Sequence, residues 1–69
     1  MSFGTKFRIL REMKKLSQVD CDEIFDLTRG TVSNWENGHA DPDIELLPDI
    51  ASFFGVTIWA LTNGLPLAG

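Results

Sequence analysis

The sequence has few of the residues that build disulfide or metal frameworks. Its 69 residues include one cysteine, Cys21, and one histidine, His39. A single cysteine cannot form an internal disulfide, and this pair cannot supply the ligands of a structural zinc site. We therefore expect no metal, no cofactor and a fold that depends on its apolar core.

Long apolar runs are also missing. None approaches the roughly 18 residues of a membrane span, and residues 1–15 alternate charged and apolar side chains, unlike a signal peptide. No nucleophile–base pair or phosphate-binding glycine loop is visible. The sequence predicts a cytoplasmic protein that is not an enzyme, with no membrane contact and no small-molecule ligand.

The residues that are present suit one ordered domain over residues 1–69. Hydrophobic residues make up 43% of the chain and charged residues 23%, as in globular proteins. The net charge of −4 is unusual for a protein that binds nucleic acid. However, all six basic residues lie within residues 1–29, so a locally basic face is compatible with the total.

Short helical periodicities between capping residues predict five helices and an all-α fold. The first helix should run from Phe3 to about Lys15, with Ser2 as its N-cap. Ser17 and Asp20 have the spacing of a capping box for a second helix. The apolar residues expected on the buried side of that helix are Val19, Cys21, Ile24 and Phe25.

Three further helices are expected after residue 27. Thr28 is the expected N-cap of the third, which should end at Asn37-Gly38. Pro48 favours a late start for the fourth, because a proline is tolerated in a first turn. The fourth should end before Gly55. Thr57 should cap the fifth, which should end at Asn63-Gly64, and the C-terminal tail 65–69 has no clear period.

Residues 17–37 have the pattern of a helix-turn-helix unit. Its second helix, 28–37, would bury Val32 and Trp35. Its outer side carries small or hydrogen-bonding residues and no acid: Arg29, Gly30, Ser33, Asn34 and Asn37. Such a face can enter the major groove of DNA, about 12 Å wide, where an arginine can donate to guanine.

Several motifs together give a family resemblance: Leu16-Ser17-Gln18, Trp35-Glu36-Asn37-Gly38 and Leu47-Pro48-Asp49-Ile50-Ala51. From Phe3 to Gly64 the chain resembles the XRE-type helix-turn-helix family, which includes the lambdoid phage repressors and Cro proteins. The resemblance implies a compact five-helix, lambda-repressor-like DNA-binding domain.

The resemblance also implies roles for individual residues. The DNA phosphate contacts would be Gln18, Thr28 and Asn37, and Arg11 and Glu36 would form a structural ion pair. The base contacts, from the resemblance and from the exposed face together, would be Arg29, Gly30, Ser33, Asn34 and Gln18. Simpler roles stay open: Arg29 as a solvated residue, Gln18 as a surface amide and Asn37 as a helix terminator.

The chain departs from the family pattern at several acids. Asp22 stands where the family usually has alanine, and Asp26 where it usually has glycine. Asp41 and Asp43 lie in a loop that is usually basic. We expect the acids of the second helix to form a solvated face, and the loop acids to weaken DNA binding.

The implied function is a sequence-specific transcriptional regulator, in the first instance a repressor, that binds a palindromic operator in double-stranded DNA as a homodimer. The expected dimer contacts are Ile58, Trp59, Leu61, Leu65 and Leu67. The alternative is a protein-interaction module on the same scaffold, such as an antitoxin or anti-repressor, which would bind its partner through the acidic half of the chain.

Overall fold

The structure is a computed structural model that describes residues 2–62, and every regular element in that range is helical. The elements are α1 (Phe3–Met13), α2 (Gln18–Ile24), α3 (Thr31–Glu36), a 3-10 turn (Ile44–Leu46), α4 (Leu47–Phe54) and α5 (Ile58–Thr62). The expected all-α, five-helix fold is confirmed. None of the helices in residues 2–62 has the length and hydrophobicity to cross a bilayer.

Helix α1 begins as predicted but ends earlier. The Ser2 hydroxyl accepts a hydrogen bond from the Thr5 amide at 3.2 Å, which caps the helix. The helix stops at Met13, because Lys15 adopts a left-handed φ of 59°. Met13 is 73% exposed, whereas Leu16, in the turn after α1, packs against the core.

The capping box forms at the start of α2. The Ser17 hydroxyl accepts from the Asp20 amide, and the Ser17 amide donates to the Asp20 carboxylate, both at 2.9 Å. The hydrogen bonding of the Asp20 carboxylate to Ser17 lowers the pKa of Asp20. The prediction was wrong for Val19 and Ile24, which are exposed. Asp26 follows α2 with a left-handed φ of 56°, which explains why the family favours glycine there.

Helices α4 and α5 are positioned by short turns. The 3-10 turn leads directly into α4, and Pro48 lies in the first turn of that helix. Gly55 ends α4 with a φ of 70°, and the Thr57 hydroxyl then accepts from the Ala60 amide at 3.0 Å. The predicted end of α5 at Asn63-Gly64 lies outside the described residues.

The core is built around the ring of Phe7, which is completely buried. Its centroid lies 5.3 Å from Trp35 of α3 and 5.4 Å from Phe54 of α4, both in edge-on geometry that favours aromatic pairs. Cys21 is a buried part of the same core, as predicted from its small apolar character. Burial raises the pKa of its thiol to about 11, so the thiol is protonated at neutral pH.

Two side chains, one apolar and one basic, are completely buried where α5 packs on the rest of the fold. Leu61 of α5 is completely buried in the core. Its side chain is therefore unavailable to a second protomer, which corrects its inclusion among the dimer contacts. Lys6 is also completely buried, and its ammonium donates to the Ala60 carbonyl oxygen at 3.1 Å, which joins α1 to α5. Burial lowers the pKa of Lys6, because the charged form loses its hydration.

Helix α1 packs directly against the backbone of α3 at Gly4. A Cβ built on Gly4 would overlap the Trp35 carbonyl and would lie 2.8 Å from Glu36 Cα. Only glycine allows the two backbones to come this close.

Replacing Gly4 with alanine should therefore destabilise the domain. Alanine is the better helix former, but the overlap involves backbone atoms of α3 that cannot rotate away. We expect Gly4→Ala to lower the free energy of unfolding by about 1–3 kcal/mol in urea denaturation, which is typical of overpacking. Glu12→Ala, an exposed substitution on α1, is the control and should change it by less than about 0.5 kcal/mol. A stable Gly4→Ala variant would contradict this packing.

Candidate nucleic-acid interface

Helix α3 begins later than the sequence predicted. Gly30 is its N-cap, with a left-handed φ of 95°, and the first helical residue is Thr31. Thr28 does not cap the helix through its side chain as expected; its backbone carbonyl accepts from the Thr31 amide at 3.1 Å and from the Thr31 hydroxyl at 2.6 Å. The left-handed backbone at Gly30 separates the turn 28–30 from the helix, so the predicted helix 28–37 is a turn followed by Thr31–Glu36.

The cap of α3 comes from a different helix. Asp22, on α2, is 2% exposed. One carboxylate oxygen accepts from the Gly30 amide at 3.0 Å and the other accepts from the Val32 amide at 2.9 Å. The expectation that Asp22 belongs to a solvated acidic face was wrong, because two backbone donors satisfy its charge inside the fold.

The outer side of α3 and of the turn before it is open to solvent. Thr28, Arg29, Asn34 and Asn37 are exposed, whereas Gly30 and Ser33 are half-buried. The Asn37 side-chain amide donates to the Ser33 hydroxyl at 3.3 Å. None of these six side chains is acidic, so the surface offers one cation and several hydrogen-bonding groups.

A charged network fixes the C-terminal end of α3. Arg11 donates to both carboxylate oxygens of Glu36, at 2.7 and 2.9 Å, and to the Leu16 carbonyl oxygen at 2.8 Å. The two side chains are only 11% and 3% exposed. This hydrogen bonding to Glu36 raises the pKa of Arg11. The network thus joins α1, the α1–α2 turn and α3.

Gln18 belongs to the same network. Its side-chain amide donates to Glu36 Oε1 at 3.1 Å, which places this residue, the first of α2, next to the end of α3. Arg8, which sequence reasoning missed, lies 3.9 Å from the same oxygen and has a side chain that is 52% exposed. The signal was its spacing of three residues from Arg11, which puts both arginines on one side of α1.

Acidic side chains line a groove beside α3. A surface groove runs between Thr31 and Asn34 on one side and the loop that follows α3 on the other. Its lining includes three exposed carboxylates: Asp41, Asp43 and Glu45. Within residues 2–62, no group of histidine, cysteine or acidic side chains is arranged to hold a metal ion. The described residues around α3 thus include one partly exposed arginine, Arg8, and these three carboxylates.

The model of a known family, described as helix-turn-helix, matches residues 7–58. This chain belongs to the XRE-type helix-turn-helix family. A similar protein is the "HTH-type transcriptional activator BcrR" of Enterococcus faecalis, which is 39% identical over 64 residues. The match covers 93% of this chain and 31% of that protein, so the chain spans less than a third of its relative's length.

The helix-turn-helix unit consists of α2, the turn and α3. It brings the predicted residues Arg29, Gly30, Ser33, Asn34 and Asn37 to one surface, with Thr28 in the turn. Gln18 lies across the end of α3. Ile58 and Trp59 are exposed on α5, and Leu65 and Leu67 lie outside the described residues.

Loss of the Glu36 carboxylate should strongly destabilise this helix-turn-helix domain. Glu36→Gln leaves Arg11 charged and largely buried without its partner, and we expect a loss of about 3 kcal/mol in urea denaturation. The matched control is Glu12→Gln, since Glu12 also lies near Arg11, at 4.0 Å, but has a side chain that is 64% exposed. Exposed pairs contribute at most about 1 kcal/mol. Equal effects of the two substitutions would contradict the role of the buried pair.

Proposed function

We propose that this domain binds double-stranded DNA in a sequence-specific manner, with α3 in the major groove, as part of a transcription regulator. The observation that carries the proposal is the surface of the turn 28–30 and α3, which is exposed and has no acidic side chain facing outward. The one acid within α3, Glu36, is turned inward to Arg11. A helix with this surface can approach the bases without repulsion from its own carboxylates.

The proposed base contacts are Arg29, Gly30, Ser33, Asn34 and Gln18. Arg29 is exposed in the turn before α3, where its guanidinium can donate to O6 and N7 of one guanine. Gly30 has no side chain to keep the backbone away from the groove, and Ser33 and Asn34 supply hydrogen bonds further along α3. These contacts carry sequence preference, because each depends on the pattern of groups at a base edge.

The proposed phosphate contacts surround this surface. Gln18, Thr28 and Asn37 lie around α3. Arg8 adds a partly exposed cation near Glu36, which Gln18 also contacts. Phosphate contacts set affinity and orientation but do not read sequence. The carboxylates of Asp41, Asp43 and Glu45 line the groove beside Thr31 and Asn34, where they would repel the DNA backbone and limit affinity.

The direction of regulation is a separate question. The resemblance to phage repressors favours repression, whereas the similar Enterococcus faecalis protein is named an activator. We infer that the domain supplies the operator contact in both cases, and that the position of the operator relative to the promoter decides the outcome. The activity requires that the domain faces the compartment that contains the DNA, for which we propose the cytoplasm.

Selection of bound duplexes from a random pool tests this function. The wild-type domain should enrich a palindrome whose half-sites are about one helical turn apart. Absence of enrichment at ~50 mM salt would instead favour the alternative, a protein-interaction module that uses the acidic groove beside α3.

Arg29→Ala should change the selected motif. Without the guanidinium, discrimination at one base pair per half-site should fall by about 1–3 kcal/mol, because a bidentate contact to guanine is lost. Arg8→Ala is the matched control and should weaken binding to all sequences while the motif stays the same. An unchanged motif with Arg29→Ala would show that Arg29 does not read a base.

The proposed dimer surface is on α5. Ile58 and Trp59 are 44% and 56% exposed, and a large exposed tryptophan is a common centre of protein interfaces. Trp59→Ala should raise the dimer dissociation constant at least tenfold in sedimentation equilibrium. The control is Ile24→Ala, an apolar residue on α2 that is also 44% exposed and should have no effect. An unaltered equilibrium with Trp59→Ala would remove α5 from the interface.

A further inference from the structure

The two hydrogen bonds of Asp22 hold the start of the helix proposed to enter the major groove. Helix α3 has six residues, and its N-cap, Gly30, has no side chain with which to cap it. The carboxylate of Asp22 supplies that cap from α2, through the Gly30 amide at 3.0 Å and the Val32 amide at 2.9 Å. The beginning of α3 is therefore fixed by a residue of the preceding helix.

Because Asp22 is buried, its carboxylate depends on these two hydrogen bonds. At 2% exposure, the carboxylate has exchanged water for these two amides, and a buried charge requires such partners. Because one amide lies in the turn and the other in the first turn of α3, the two bonds fix the turn relative to the helix. Arg29 is the residue directly before Gly30, and its backbone direction is thereby set.

We propose that Asp22 is a positioning residue for base recognition, which orients Arg29 and the first turn of α3 without touching DNA. The inference rests on the proposed function, in which Arg29 reads a base. A bidentate contact to a base edge depends strongly on direction, whereas attraction to a phosphate depends mainly on distance. Loss of the Asp22 hydrogen bonds should therefore weaken binding to the preferred sequence more than it weakens binding to other sequences.

The test compares the affinity of each variant for the selected duplex and for a scrambled duplex of the same length. Asp22→Asn retains one oxygen acceptor but places an amide donor against the other backbone N–H. We expect it to lower the ratio of the two affinities about tenfold. The matched control, Glu23→Gln, removes the same charge from an exposed position on α2 and should strengthen both interactions while leaving the ratio unchanged.

The ratio of the two affinities distinguishes a positioning role of Asp22 from a role in the stability of the domain. Partial unfolding lowers the population that can bind and so weakens both affinities by the same factor. An unchanged ratio for Asp22→Asn, beside a selective wild type, would overturn the inference. A wild type that shows no preference between the two duplexes would instead overturn the proposed function.

Amide hydrogen exchange of the wild-type domain gives a second measurement that does not require a folded variant. The Gly30 and Val32 amides should exchange at least tenfold more slowly than the exposed-turn amide of Arg29, and should stay protected when DNA is bound. Exchange of Gly30 and Val32 as fast as that of Arg29 would show that the Asp22 bonds do not persist in solution, and this would also overturn the inference.

Discussion

A helix of six residues is too short to be stable on its own in water, and this constraint governs the construction of the domain. Helix α3 depends on neighbouring helices at both of its ends. Asp22 of α2 satisfies the backbone amides at its start, and Arg11 of α1 pairs with Glu36 at its finish. Between these ends, Val32 and Trp35 enter the core. The outer side of α3 is thus left open to solvent, because the other contacts hold the helix from within.

The placement of the charged side chains, rather than the net charge of the chain, determines which charges the surface of the domain presents. Asp22 and Glu36 are turned inward, one toward backbone amides and the other toward an arginine. Lys6 is buried as well, so the basic half of the sequence offers fewer cations to DNA than its composition indicates. Three exposed acids, Asp41, Asp43 and Glu45, line the groove beside α3. This arrangement favours recognition through hydrogen bonds over strong electrostatic attraction.

Local signals in the sequence were sufficient for most of the fold. Ser2, the capping box of Ser17 and the glycine that ends α4 each act within one helical turn, and they set the helix ends that they were expected to set. The start of α3 was misplaced, because the left-handed backbone of Gly30 cannot be read from its neighbours. The cap from Asp22 joins two helices, so only the folded chain reveals it. The burial of Leu61 likewise depends on how α5 packs on α1 and α4.

The buried amine of Lys6 ties the two ends of the fold together. It holds α5 to α1 through the Ala60 carbonyl, while Gly4, about half a turn earlier, lets α1 press directly on α3. In the proposed dimer, α1 then connects α5, which carries the surface proposed to meet the second copy, to α3, the helix proposed to enter the groove. A change at either contact would then alter the separation of the two proposed recognition helices in that dimer.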